Sequence, residues 1–269
     1  MAQLTASSEV RLLLPGSAIV GDLGPDGAGG PGREEAVQAI ADLYAYPDPL
    51  PAGGWVRANM VASMDGSATG ADGRSGSVSS PADQVVFRVL RGLADTVLVG
   101  AGTVRGEGYH VPAAKPEFAE RRATAGQAPA PPLAVVTRSG HVSGDGALFR
   151  GPTPTYLVTC ARADLARLRA EAGPEHVIVA GADSVDPRRA VAELAERGLR
   201  RVLLEGGPSL LAQFAADGRL DELCLSWTPI MVGDGGPRIA HGPTADLRLQ
   251  LAHLAECGGT LLGRWLVQR

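Results

Sequence analysis

Aromatic side chains are scarce: Phe, Trp and Tyr make up only 4% of the 269 residues. Long apolar runs are missing as well. No stretch of 18 apolar residues occurs, so nothing reads as a membrane-spanning helix. The amino terminus lacks a basic region followed by a long apolar one, which argues against a secretory leader and for a cytoplasmic protein. Cysteine is limited to Cys160, Cys224 and Cys257, far apart and set among apolar neighbours. They read as reduced core thiols. No CxxC or HxE pattern is present to hold zinc, so no metal is expected. A net charge of −4 gives no electrostatic reason to expect nucleic acid. GxSxG is absent, and His110, His141, His176, His241 and His253 lie in unrelated settings without metal-ligand spacing. The histidines read as surface or loop residues, and hydrolase chemistry is disfavoured.

What is present is 45% apolar residues, 36 glycines and 20 prolines, enough for a sizeable core. Residues 21–32, GDLGPDGAGGPG, read as an exposed or disordered loop. Residues 33–43 carry apolar positions at helical spacing. Together, residues 1–54 read as an extension with a short helix and a Gly/Pro-rich loop, ahead of a main domain at 55–269. From a strand at 55–64 onwards, strands and helices alternate. A helix over 80–94 starts with Ser80 as N-cap and Pro81 at its first position. Short Val/Leu-rich strands follow near 95–103, 132–140, 155–160, 176–181 and 201–207, then 222–233 and a last pair near 250–267. Helices fall near 162–172, 187–198 and 208–217, and the segment 110–132, with five prolines, reads as an inserted loop. Apolar strands between helices predict an α/β fold with a mainly parallel central sheet covered on both faces.

In such sheets ligands bind beyond the carboxyl ends of the strands. LLEGGPSLLAQF at 203–214 runs strand, Gly-Gly, helix, which sets backbone N–H groups at a positive helix end where a diphosphate can approach. The pattern is not GxGxxG, and an ordinary tight turn has the same spacing. LVGAGTVRGEGY at 98–109 repeats the theme: Gly100 opens the backbone, and one helical turn sets Thr103 and Glu107 on one face. In VTRSG at 136–140, Arg138 suits a ribose 2′-phosphate, although an exposed arginine needs no ligand.

RANMVASMDG, SSPADQVVFRVLRGLADTVLVGAGTVRGEGY and LLEGGPSLLAQFAADGRLDELCLSWTPIMVGDG, in this order over about residues 55–267, resemble the riboflavin-biosynthesis reductase domain, in its actinobacterial stand-alone pyrimidine reductase branch. The resemblance implies a dihydrofolate-reductase-like fold. It also implies hydride transfer from NADPH to the ribosylamino group of a pyrimidine 5′-phosphate, with 5-amino-6-(5-phosphoribosylamino)uracil preferred as substrate. By motif, Val61, Ala62, Ser77, Gly100, Thr103, Glu107, Arg138, Ser139 and the stretch Gly206, Gly207, Pro208, Ser209, Leu210 and Leu211 would bind the cofactor. Ser75, Arg91 and Glu205 would face the substrate, with the fork of Arg91 on its phosphate. Glu205, Asn59 and Asp65 would be the catalytic group. Asn59 stands where the riboflavin enzymes commonly have lysine, and an amide cannot do a lysine's proton or imine chemistry. That keeps a dihydrofolate or pterin reductase, and a non-catalytic protein binding NADPH or a metabolite, as alternatives. The zinc deaminase motifs of the bifunctional enzymes are absent. The resemblance further implies a homodimer, for which the alternating C-terminal TLLGRWLVQR would be an edge strand.

Overall fold

The computed structural model describes residues 8–16, 18–23, 32–142, 147–233, 236–243 and 245–269. Among these, eleven strands make one sheet. They are β1 (Glu9–Leu14), β2 (Ala18–Asp22), β3 (Trp55–Ser63), β4 (Thr96–Gly100), β5 (Leu133–Val136), β6 (Thr155–Thr159), β7 (Val177–Val179), β8 (Arg201–Leu204), β9 (Glu222–Thr228), β10 (Leu249–Cys257) and β11 (Thr260–Val267). Their order is β2-β1-β10-β11-β9-β3-β8-β4-β5-β6-β7. The run from β9 to β7 is parallel, and the run from β2 to β9 is antiparallel. This is the expected α/β arrangement, a central sheet whose parallel part is covered on both faces by helices.

Side-chain alternation shows why both faces are covered. Val97 and Val99 face one core and Leu98 the other; likewise Leu203 opposes Val202 and Leu204. On the first face pack α1 (Arg33–Leu43), α2 (Pro81–Leu93) and α5 (Leu165–Ala172), through Val37 and Ile40, Val89 and Leu90, and Leu168. On the second pack α6 (Pro187–Glu196) and α7 (Pro208–Ala216), through Val191 and Leu194, and Leu210 and Phe214. α2 starts as its sequence dictates: the Ser80 hydroxyl accepts the Asp83 N–H at 3.2 Å, with Pro81 at the first turn. The short α3 (Ala101–Glu107) follows β4 directly.

The structure corrects several sequence expectations. Glu9–Leu14 and Ala18–Asp22 are strands, and β1 adds to the sheet by pairing with β10. Most of the expected Gly/Pro-rich loop, residues 24–31, lies outside the described residues. The 110–132 insertion contains α4 (Ala119–Thr124), anchored by the buried guanidinium of Arg122, which donates to the carbonyls of Ala128, Gly92 and Ala94 at 2.6, 3.0 and 2.7 Å. β11 is no edge: it runs between β10 and β9. β9 ends at Thr228, because Pro229 has no N–H to continue a ladder.

His253, expected at the surface, is buried on β10. It meets Tyr44 edge-on at 4.6 Å, and its Nε2 has no hydrogen-bond partner. Burial first, then the charges of Arg264 and Arg57, push its pKa down to about 4. The folded state therefore holds His253 neutral while the unfolded chain takes up a proton below about 6.5. Stability is full above that pH and falls as pH drops from about 6.5 towards 4. Between pH 7 and 5 the parent is expected to lose about 2 kcal/mol more stability than His253→Phe, read from urea midpoints at both pH values. Equal losses would show that His253 does not titrate this way.

Candidate active site

Backbone bonds lay the two glycine turns side by side at the carboxyl ends of β4 and β8. Glu205 N–H donates to Leu98 C=O at 2.9 Å, and Gly100 N–H to Gly206 C=O at 2.8 Å. Gly206 sits at φ +85°, a conformation that favours glycine, and its peptide bond to Gly207 is cis. Two cavities open around these turns and share Gly102, Thr103, Gly207 and Pro208. One, about 810 Å³, runs over the ends of β4 and β5. The other, about 690 Å³, runs between β3, α2 and the segment 106–115. Both volumes suit small-molecule ligands.

The 810 Å³ cavity brings together Gly100, Thr103, Arg138, Ser139, Gly207, Pro208, Ser209 and Leu210 of the expected cofactor set. Arg138 is exposed and has no ion-pair partner among the described residues. Arg105, which sequence reasoning missed, lines the same cavity and donates to His141 C=O at 2.7 Å. A Cβ built on Gly207 would stand 2.7 Å from Thr103 Oγ1, so the missing side chain keeps this junction open. Four of the expected cofactor residues line neither cavity. Ala62 and Leu211 point into the core on the α6/α7 face, because the strand and helix periods turn them away. Gly206 is buried outside the linings. The Ser77 hydroxyl is tied to Asp72 at 2.6 Å in an exposed turn.

The 690 Å³ cavity collects Asn59, Val61, Ser75, Arg91, Glu107 and Glu205, and shares Thr103. The Glu107 carboxylate accepts Ser75 N–H at 2.9 Å, joining the loop before α2 to α3. Arg91 does not wait for a phosphate. Its Nε and Nη2 both bond the Glu205 carboxylate at 2.7 Å, a fork-to-fork pair. The guanidinium also stacks over Phe87 at 4.2 Å. The Tyr109 hydroxyl donates to the same carboxylate, and burial followed by the Glu205 charge holds its pKa well above the ordinary value. Glu205 is thus fixed on the wall of the cavity by Arg91 and Tyr109.

Asp65 lies outside both linings. Its exposed carboxylate accepts the Ser63 hydroxyl at 2.5 Å and the backbone N–H groups of Val232 and Gly233 at 3.2 and 2.7 Å. These bonds, the Ser63 hydroxyl first, hold its pKa down to about 2. The Asp-Gly end of β3 is therefore a clamp on the segment after β9, and the catalytic role expected of Asp65 loses its footing. Among the lining residues that sequence reasoning missed are Asp83, Tyr109 and Lys115, the single lysine of the chain. Asp83 sits in the first turn of α2, where an acid commonly meets the helix dipole, and Lys115 in a proline-rich segment, so neither carries a sequence signal. Tyr109 does stand inside a quoted motif.

The family model of the RibD C-terminal domain matches residues 54–262. A 2,5-diamino-6-ribosylamino-4(3H)-pyrimidinone 5′-phosphate reductase of Archaeoglobus fulgidus is 25% identical over 205 residues, 76% of this chain and 94% of that protein. The riboflavin biosynthesis protein RibD of Bacillus amyloliquefaciens is 27% identical over 213 residues, and the chain spans 55% of its length. Among solved structures, a pyrimidine reductase-like protein from Corynebacterium diphtheriae superposes with a TM-score of 0.73 at 25% identity, covering 85% of this chain and 99% of that one.

Proposed function

The chain belongs to the RibD C-terminal domain family, and from that premise we propose that it is an NADPH-dependent reductase of riboflavin biosynthesis. Its substrate is a pyrimidine ribosyl 5′-phosphate, 5-amino-6-(5-phosphoribosylamino)uracil or its 2-amino counterpart. The observation that carries this reading is the meeting of the two cavities at Thr103 and Gly207, with the Glu205 group on the wall of one of them. The names of the full-length relatives favour a pyrimidine over a pterin, and reduction over mere binding. Residues 55–269 form the reductase unit, and β1 and β2 complete its sheet. Pairing of two copies and a cytoplasmic location belong to the same reading, on the strength of the resemblance.

A nicotinamide supplies a hydride when bound. The chain's residues fit such a group: Arg138, Arg105 and Ser139 at the far end of the 810 Å³ cavity, and Gly207 with the start of α7 at the junction. In the net reaction C1′ of the ribosyl group gains the hydride, the C1′–O4′ bond breaks and O4′ gains a proton. Glu205, held by Arg91 and Tyr109, accepts hydroxyls of the sugar chain. Arg91 being committed, Lys115 is the cation left for the phosphate.

The direct test follows NADPH oxidation by absorbance, with the pyrimidine phosphate and dihydrofolate side by side. Turnover of dihydrofolate alone would overturn the proposal. Preference for NADPH over NADH is expected to rest on Arg138. Arg138→Ala is expected to lose about 1.5–3 kcal/mol of NADPH affinity, the range for a charged hydrogen bond, and little of NADH affinity. Titration by protein fluorescence checks this, and equal losses for both cofactors would remove Arg138 from the 2′-phosphate.

A further inference from the structure

A third cavity, about 50 Å³, opens between the carboxyl end of α2 and the inserted segment 110–132. It holds a few waters or one tetrahedral oxyanion and is too small for a ring or a sugar chain. Arg88, Arg91, Lys115 and Arg122 line it, and no acid among the described residues does. Arg88 and Arg122 line none of the larger cavities. Arg122 is only 2% exposed. Its Nε and Nη1 are spent on carbonyls at the end of α2 and after α4, while Nη2 is buried with no hydrogen-bond partner. Arg88 Nε is buried and unpartnered too, because the Glu117 carboxylate stands 3.7 Å away, beyond hydrogen-bond reach. Asp95 is within electrostatic reach of Arg122, but its oxygens already accept from Gln127, the Arg201 guanidinium and the backbone N–H groups of Arg200 and Arg201.

A buried guanidinium with idle N–H groups loses solvation without gaining a partner. Burial accordingly lowers the pKa of Arg122, and burial followed by the like charge of Arg33 lowers that of Arg88. Guanidinium N–H donors match the oxygens of an oxyanion in strength and in geometry. We propose that the 50 Å³ cavity binds a free inorganic oxyanion of the phosphate type, held by Arg88 and Arg122 with Lys115 at its mouth, and that this anion staples the inserted segment to α2. The site is separate from the place of the substrate's phosphate. Arg91 lines both cavities and divides them: its Nε and Nη2 close on Glu205, on the wall of the larger one, and its guanidinium stacks over Phe87. Val111, Pro112 and Ala113 of the stapled segment also line the 690 Å³ cavity, so the bound anion steadies one wall of the substrate site.

The inference goes beyond the reductase reading, and its test needs no turnover. Inorganic phosphate is titrated into the whole chain by calorimetry, at constant ionic strength with chloride as the balancing anion, and thermal melting is followed alongside. The parent is expected to bind one phosphate saturably and to melt higher in its presence. Arg122→Gln is expected to abolish binding, but Arg122 also anchors α4, so Arg88→Gln decides the matter. That variant spares the anchor and is expected to weaken phosphate at least ~10-fold, the low end for a charged hydrogen bond. The same titration with 5-amino-6-(5-phosphoribosylamino)uracil saturating, and no cofactor present, separates the two phosphates. Phosphate binding that persists supports the free-anion site. Binding lost to the pyrimidine overturns it and gives the cavity to the substrate's own phosphate. No saturable binding, or binding that Arg88→Gln leaves unchanged, overturns it as well. A pyrimidine that does not bind counts against the reductase reading alone, and the titration without it still judges the anion site.

Discussion

Gly207→Val is expected to abolish binding of the nicotinamide cofactor while the protein stays folded. Gly207 lies at φ −70° and ψ −170°, an extended conformation open to any residue, so no backbone strain enters. The obstacle is steric. A Cβ there would stand 2.7 Å from Thr103 Oγ1, at the point shared by both cavities. The branched carbons of valine would fill the approach to the start of α7, where the proposed reading sets the diphosphate. The expected loss of NADPH affinity exceeds about 100-fold, or ~2.8 kcal/mol, the upper end for a single charged hydrogen bond. Fluorescence titration measures it, with circular dichroism as the control for folding. Parent-like affinity in a folded variant would place the diphosphate away from this turn.

Glu222→Ala is expected to give the largest loss of stability. Glu222 is fully buried at the start of β9. Its Oε1 lies 2.6 Å from Arg57 Nε and 2.9 Å from Arg264 Nε, and its Oε2 accepts Trp55 Nε1–H at 2.9 Å. Arg57 is buried as well, with its guanidinium 4.0 Å from the centre of the Tyr46 ring. Removing one partner of such a cluster leaves charge in the core without compensation and costs about 3–5 kcal/mol. For a domain of this size the melting midpoint falls by roughly 10 °C. Burial would raise the Glu222 pKa, but Arg57 and Arg264 overcome it and hold the carboxyl below its ordinary value. Its contribution is therefore full above the unfolded-state value of about 4.3 and is lost as pH falls through the lower folded value. Scanning calorimetry of parent and variant at neutral pH decides it, and a shift of only a degree or two would make the cluster marginal.

Arg57, Asn59 and Asp65 show how much of the site was legible. All three stand in one motif. Their order announced a strand ending at a ligand site, and the strand is there as Trp55–Ser63. The tasks of the side chains were not legible. Arg57 serves the core, Asn59 faces the cavity, and Asp65 ties down the segment after β9. Arg91 is the same lesson. A guanidinium in the right motif suits a phosphate, yet its fork closes on Glu205, 114 residues away in the chain.

The sequence by itself determined the alternation of strands and helices, the start of α2 at Ser80 and Pro81, the two glycine turns and the family. These rest on local causes: periodicity, caps, and backbone that only glycine leaves open. Only the tertiary structure decided that β1 and β2 join the sheet, that β11 is internal, that Asp65 is a clamp, and that Asp83 lines the cavity without a cation. The reason is physical. Which partner a strand edge or a charged group meets is settled by packing between segments distant in the chain, and no local pattern encodes it. β1 pairs with β10 across more than 200 residues, and the guanidinium of Arg91 closes on Glu205, 114 residues away in the chain.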